Sequence, residues 1–171
     1  QDLINEVHAR DMKIMQEYAV WNRKAMAETI ITGMEWQTGA RYTTIHNYID
    51  LNTMILRKGA ISADAGEIVL IPLNMRDGSL LCVGKGNPDW NFSAPHGAGR
   101  IMSRNEAKRV LSMKDFKDSM DGIFSTSVRK DTLDEAPMAY KSLESIQEYL
   151  DQTVDILHHL TPLYNFKATG D

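Results

Sequence analysis

Apolar residues in the first part of the chain recur with a helical period. Met12, Met15, Tyr18, Ala19, Trp21, Met26 and Ile30 fall at intervals near about 3.6 residues with no proline between them, which predicts one helix from about Leu3 to Met34. Gly33 and then Gly39 mark its end. A methionine and aromatic stripe is ordinarily a core face, so the helix is expected to pack against a large apolar surface. From Arg41 to Val83 the pattern shortens to strand-like runs at Thr53 to Leu56, Glu67 to Leu70 and Ser79 to Val83, with Asp77-Gly78 turning the last two into a hairpin. Ser103 followed by Glu106 reads as a capping box that starts a helix over Arg104 to Leu111. A short helix over Lys114 to Met120 follows it. Ser142 opens a further helix through Asp151, and the alternation Val154, Ile156, His158, Leu160 predicts a closing strand. Helices and strands segregate instead of alternating, so the fold class is α+β: a long first helix, an antiparallel or mixed sheet, further helices and a C-terminal strand. No linker interrupts residues 1 to 171, which are expected to act as one piece.

Composition narrows the function classes. With 43% hydrophobic and 25% charged residues in 171, the chain has the make-up of an ordinary globular domain with its own core. No apolar run approaches the ~20 residues that span a bilayer, and the first residues are amphipathic and not signal-like, so a cytoplasmic address without membrane association is expected. A single cysteine excludes an internal disulfide, and Cys82, in a strand-like run, is expected to be a buried hydrophobe. A net charge of −4 argues against indiscriminate nucleic-acid binding. It leaves room for a local basic site built from Arg57, Lys58, Lys85, Arg100, Arg104 and Lys108.

The candidate chemistry lies in Ser93-Ala94-Pro95-His96-Gly97-Ala98-Gly99-Arg100 and on to Arg104. Small residues at 97 to 99 let backbone N–H groups approach an anion, and a helix starting beyond them would add its dipole. Arg100 and Arg104 are placed to clamp phosphate oxygens, and a neutral His96 with one nitrogen held would be a nucleophile. The plainer reading is a tight loop capped by His96 with both arginines solvated. His46 beside Asn47, taken alone, fits a hydrogen-bonded structural residue as well as a metal ligand. His8, His158 and His159 fit structural or exposed positions.

Several segments together resemble one family. His96-Gly97-Ala98-Gly99-Arg100, Ile45-His46-Asn47-Tyr48, Arg57 through Ala63, Ile71-Pro72 through Ser79, Gly84 through Pro88, Asp134 through Lys141, and Pro162 ahead of Lys167 occur in the order of the RtcB-type RNA ligases. The resemblance covers the carboxy-terminal part of such an enzyme and implies an α+β fold of that family's own kind. It implies that His96 becomes guanylylated from GTP with Mn2+. It further implies that the guanylate passes to an RNA 3′-phosphate, formed where needed from a 2′,3′-cyclic phosphate, and that a 5′-hydroxyl end then closes the phosphodiester. By the same resemblance His46 is a manganese ligand, while Ser79, Gly97, Ala98, Gly99, Tyr140 and Lys167 surround the guanine nucleotide. Arg57, Lys58, Arg100 and Arg104 would contact RNA phosphates or the triphosphate. The expected partners are RNA ends, from tRNA exon halves or damaged RNA, the amino-terminal half that carries the remaining metal ligands, and an archease-like activator. Where many members read IPGSMG this chain reads Ile71-Pro72-Leu73-Asn74-Met75-Arg76-Asp77-Gly78, which puts the nucleotide loop's details in question. Two further readings stand beside the ligase: a truncated or split relative serving as a nucleotide-binding or assembly module, and a phosphate-binding α+β domain without covalent chemistry. An exposed apolar face on the first helix would mark the surface that the amino-terminal half covers.

Overall fold

The computed structural model describes residues 2–167 and is α+β. Helix α1 runs Asp2–Gly33, as the periodicity predicts. Strands β1 (His46–Asp50), β2 (Ile55–Ser62) and β5 (Ser93–Pro95) form one antiparallel sheet in the order β1-β2-β5. Strands β3 (Ile68–Pro72), β4 (Ser79–Gly84) and β7 (Val154–Leu160) form a second antiparallel sheet in the order β3-β4-β7. Between them lie α2 (Arg104–Val110), α3 (Met113–Ser119) and α4 (Leu143–Thr153), with 3-10 turns at Lys130–Glu135 and Pro137–Ala139. A short parallel pair, β6 (Phe124–Ser125) and β8 (Tyr164–Asn165), ties the tail to the loop after α3.

Local chemistry explains most of these boundaries. Ser103, Ser112 and Ser142 each accept a backbone N–H from the third residue on, capping α2, α3 and α4. The Asp77-Gly78 turn joins β3 to β4 with Pro72 opposite Ser79. Gly78 has a φ of +75°, and a Cβ there would lie 2.0 Å from the Leu160 carbonyl oxygen, so only glycine fits. β2 begins later than its sequence run and continues to Ser62, because Asp50 Oδ1 accepts the N–H groups of Asn52 and Thr53 and draws Thr53 and Met54 into the preceding turn. β1, which carries no alternating pattern, was not expected as a strand.

Both sheets and α4 close on one apolar core: Ile61, Val69, Ile71, Leu80, Ile146, Leu150 and their neighbours are nearly inaccessible, and each large side chain contributes about 1.5–3 kcal/mol by leaving water. Phe116, Met120, Leu133, Ala136 and Met75 form a second cluster under α3. The expectation that the α1 stripe is a core face is corrected. Met15, Tyr18, Trp21, Met26 and Ile30 are 55–65% exposed. Among the described residues α1 meets β1 and the segment before it, where Ile49 N–H donates to Gln16 Oε1 and Arg41 pairs with Glu28, and these contacts leave the stripe uncovered.

Candidate functional site

A cavity of about 600 Å³ opens where the β3–β4 turn, the end of β5 and the C-terminal tail converge. It is lined by Ser79, His96, the Gly97-Ala98-Gly99 loop, Arg100, Arg104, Tyr140 and Lys167, so the structure brings together every residue expected around a guanine nucleotide. His96 follows β5 directly. Its Nδ1 lies 2.7 Å from the carbonyl oxygen of Gly59 on β2, which can only accept, so Nδ1 is the donor and in the neutral tautomer the lone pair is on Nε2. Gly59 is held in turn: its N–H donates to Asn47 Oδ1 at 2.9 Å. Asn47 sits at a φ of +56° where the β1–β2 register shifts between His46 and Tyr48. The same irregularity places the His46 ring over His96, with centroids 5.3 Å apart and planes at 24°.

The glycine loop is tied to its surroundings at two of its backbone groups. Ala98 N–H donates to Pro72 O and Gly99 O accepts from Lys141 N–H, and a Cβ on Gly97 would sit 2.8 Å from Pro72 O. Close packing against β3 is therefore what Gly97 serves. The expected helix behind the loop is present and short. α2 is seven residues long, begins at Arg104 as predicted, and its Glu106 N–H is taken by Ser103 Oγ. Of the two arginines Arg100 is half-buried and Arg104 is exposed, and both are held by partners. Arg100 donates to Tyr140 OH at 3.0 Å and to Asp134 O, with its guanidinium 4.9 Å from the centre of the Tyr140 ring. Arg104 pairs with Asp134 and Glu135, each at 2.8 Å.

Glu135 is the residue the sequence reading missed. Its carboxylate accepts from Tyr140 OH at 2.8 Å and pairs with Arg104 and with Lys167 Nζ at 3.5 Å, so it gathers three of the expected nucleotide contacts. Burial and then the Glu135 carboxylate push the Tyr140 phenol up to about 12, so it stays a donor at all ordinary pH. The only signal for Glu135 in the sequence was its place beside Asp134 in the Asp-Glu-Ala-Pro segment.

The model of the family described as "tRNA-splicing ligase RtcB" matches residues 5–168. The chain belongs to the RtcB family. It is 32% identical over 164 residues to "RNA-splicing ligase RtcB" of Escherichia coli K12, an alignment covering 85% of this chain and 40% of that protein. It is 31% identical over 166 residues to "RNA-splicing ligase RtcB2" of another Escherichia coli strain, covering 90% of this chain and 44% of the relative. An alignment with "tRNA-splicing ligase RtcB" of Aeropyrum pernix gives 38% identity over 90 residues, half of this chain and 18% of the relative. The chain thus spans about 40% of the length of the Escherichia coli relatives it matches.

The remaining RtcB-type positions lie outside the cavity. Arg57 is 3% exposed, with its guanidinium donating to Ser93 Oγ, Tyr48 OH and the carbonyls of Asn91 and Phe92, so it holds β2 to β5 and the loop before it. Lys58 is exposed on the rim of a separate hollow of about 340 Å³ beside Gly59 and Pro95. His46 faces a hollow between α1 and β1. Among the described residues no group of three or more His, Cys, Asp or Glu is placed to hold a metal ion, so the donors here do not by themselves fit a manganese centre. Cys82 is fully buried, and burial pushes its thiol up to about 11, which removes it from metal chemistry. His8, His158 and His159 are exposed, with His159 Nε2 bonded to Asp77 O. Of the departing loop, Leu73, Asn74 and Met75 line the cavity, with Leu73 and Met75 also packed into the two cores, and Arg76 turns onto Asp77. Among the described residues no helix is long and apolar enough to cross a membrane.

Proposed function

We propose that the chain is the nucleotide-binding and nucleophile-bearing part of a GTP-dependent RNA ligase. The observation that carries the reading is the free Nε2 of His96, fixed by Gly59 at the mouth of the cavity that Ser79, Tyr140 and Lys167 line. His96 Nε2 attacks the α-phosphorus of GTP, the bond to the leaving pyrophosphate breaks, and a phosphoramidate forms. Arg100 and Arg104 stand beside the charge that develops on the phosphates. An RNA 3′-phosphate oxygen then takes the guanylate from His96, restoring the imidazole, and an RNA 5′-hydroxyl displaces GMP to leave a 3′,5′-phosphodiester. Exposed Lys58 is assigned to an RNA phosphate, and Arg57 to holding the strands behind it. A bound manganese ion would supply charge stabilisation at the triphosphate, with His46 as the one ligand from this chain. The amino-terminal portion of such ligases would bring the other ligands and cover the apolar face of α1, in a cytoplasmic enzyme of tRNA splicing or RNA repair. A second reading, a catalytically incomplete relative that binds nucleotide or assembles with a partner, is favoured by one observation: among the described residues no set of three metal donors is present.

Intact-mass measurement after incubation with GTP and Mn2+, alone and mixed with an RtcB amino-terminal portion, tests the reading. A guanylate-sized, acid-labile adduct that is lost in His96→Ala is expected. No adduct in the reconstituted mixture overturns the ligase mechanism and leaves the incomplete relative.

A further inference from the structure

The cations of this chain are compensated in one place and bare in another. In the His96 cavity Arg100, Arg104 and Lys167 all lean on Glu135, and Arg104 on Asp134 as well. Around β2 the opposite holds. Arg57 is bonded to uncharged acceptors, Ser93 Oγ, Tyr48 OH and the carbonyls of Asn91 and Phe92, and among the described residues neither it nor exposed Lys58 forms an ion pair. Asp50, whose carboxyl feels Arg57 from a distance, accepts instead from the Asn52 and Thr53 amides. Both cations line the hollow of about 340 Å³ beside Gly59 and Pro95, and among the described residues no acid stands in its wall. The positive field there is left uncancelled by the protein, so the hollow suits an anion.

The rest of the wall is aromatic and apolar. Trp90 is half-buried, Tyr149 is 44% exposed and Leu56 is 69% exposed, and all three line the hollow. The two rings meet edge to face, with centroids 5.8 Å apart and planes at 72°, and Trp90 Nε1–H donates to Gln152 Oε1 at 3.0 Å, which fixes the indole. Bare phosphate has no use for the rings, and an apolar peptide has none for two uncompensated cations. A nucleotide strand uses both, since its bases stack on aromatic side chains whatever their sequence while its backbone follows positive charge. The hollow also adjoins the nucleophile: Gly59 O meets His96 Nδ1, and Pro95 precedes His96 in the chain. Resting on the ligase reading above, we propose that the hollow is a nucleobase-stacking subsite for the single-stranded RNA end that takes the guanylate from His96, with Trp90 and Tyr149 against a base and Lys58 on the adjoining phosphate.

The test measures, on the full chain and without GTP or Mn2+, the fluorescence anisotropy of a labelled single-stranded oligoribonucleotide that ends in a 3′-phosphate. Tyr149→Ala should weaken binding about tenfold, and Tyr149→Phe, which keeps a ring, should bind as wild type does. Wild type should bind a probe whose 3′-terminal nucleotides are abasic as weakly as Tyr149→Ala binds RNA. Lys58→Gln should lower the slope of log affinity against log salt by about 0.7, a slope that Tyr149→Ala leaves alone. The Phe variant and the abasic probe read stacking without truncating the side chain, so a folding defect in Tyr149→Ala does not imitate the result. Equal RNA affinity in wild type and Tyr149→Ala overturns the proposal, as does a wild type that binds the abasic probe as tightly as RNA, or binds no RNA. Weakened association of Tyr149→Ala with an RtcB amino-terminal portion at unaltered RNA affinity also overturns it and makes the hollow a protein contact. A His96 adduct with RNA binding blind to Tyr149 leaves the ligase reading standing without this subsite. Stacking without an adduct removes the ligase mechanism and leaves the hollow as an RNA site.

Discussion

Asp134 and Glu135 set the electrostatics around the cavity, and Asp134 makes this measurable by pH. Burial is the largest single influence on its carboxyl and raises it, but hydrogen bonds from Lys108 and Arg104 more than offset that and hold it below its ordinary value near 3.8. A carboxyl with a depressed folded pKa contributes stability that is present above the unfolded value and is lost as the pH falls through the folded one. Denaturant midpoints should therefore show Asp134→Asn less stable than wild type at pH 7, with the gap closing as the pH falls below about 4. Sequence alone placed His96, Ser79, Tyr140 and Lys167 because each sits in a recognisable block. It could not place Glu135, since an acidic residue in a turn acquires meaning only from what surrounds it in space. It also took Arg57 for a phosphate contact, because a basic dipeptide does not announce that one of its members is buried.

The elements that carry the site were legible wherever a cap or a turn is encoded locally. Ser103, Ser142 and Asp77-Gly78 each fixed a boundary that the structure keeps within a residue or two. β1 was not legible, since His46-Asn47-Tyr48-Ile49-Asp50 has no alternation and pairs only because β2 offers it an edge. α2 is short, and its orientation rests on its cap and on Arg104 and Lys108 reaching Asp134. Ser103→Ala removes the acceptor for Glu106 N–H and should destabilise the chain by about 1 kcal/mol, read as a lower urea midpoint at unchanged slope. A fall in the slope itself would instead show that α2 had come loose from Lys130–Glu135 in the native state.

For the whole molecule, α1 is the outlying part: its length was plain from the periodicity, but its apolar face is not satisfied by this chain. Trp21 is 65% exposed, so Trp21→Glu should leave the stability of the isolated chain within about 0.5 kcal/mol by denaturant titration. The same substitution should weaken association with an RtcB amino-terminal portion in analytical ultracentrifugation. A large loss of stability in the isolated chain would place Trp21 in a core that the structure does not have. Periodicity reports which side of a helix is apolar and is silent about which molecule lies against it.

His46 and Asn47 are consecutive, and that adjacency links two tasks. One residue presents its ring over His96; the next grips the Gly59 amide whose carbonyl holds the His96 ring. Asn47 occupies a left-handed conformation where the strand register shifts, and this turns the two consecutive side chains to the same imidazole, Asn47 through Gly59. One peptide unit separates the ring stacked on His96 from the amide that holds Gly59. The two contacts on the His96 ring, stacking from one side and the Gly59 carbonyl on Nδ1, thus originate from neighbouring residues of one strand.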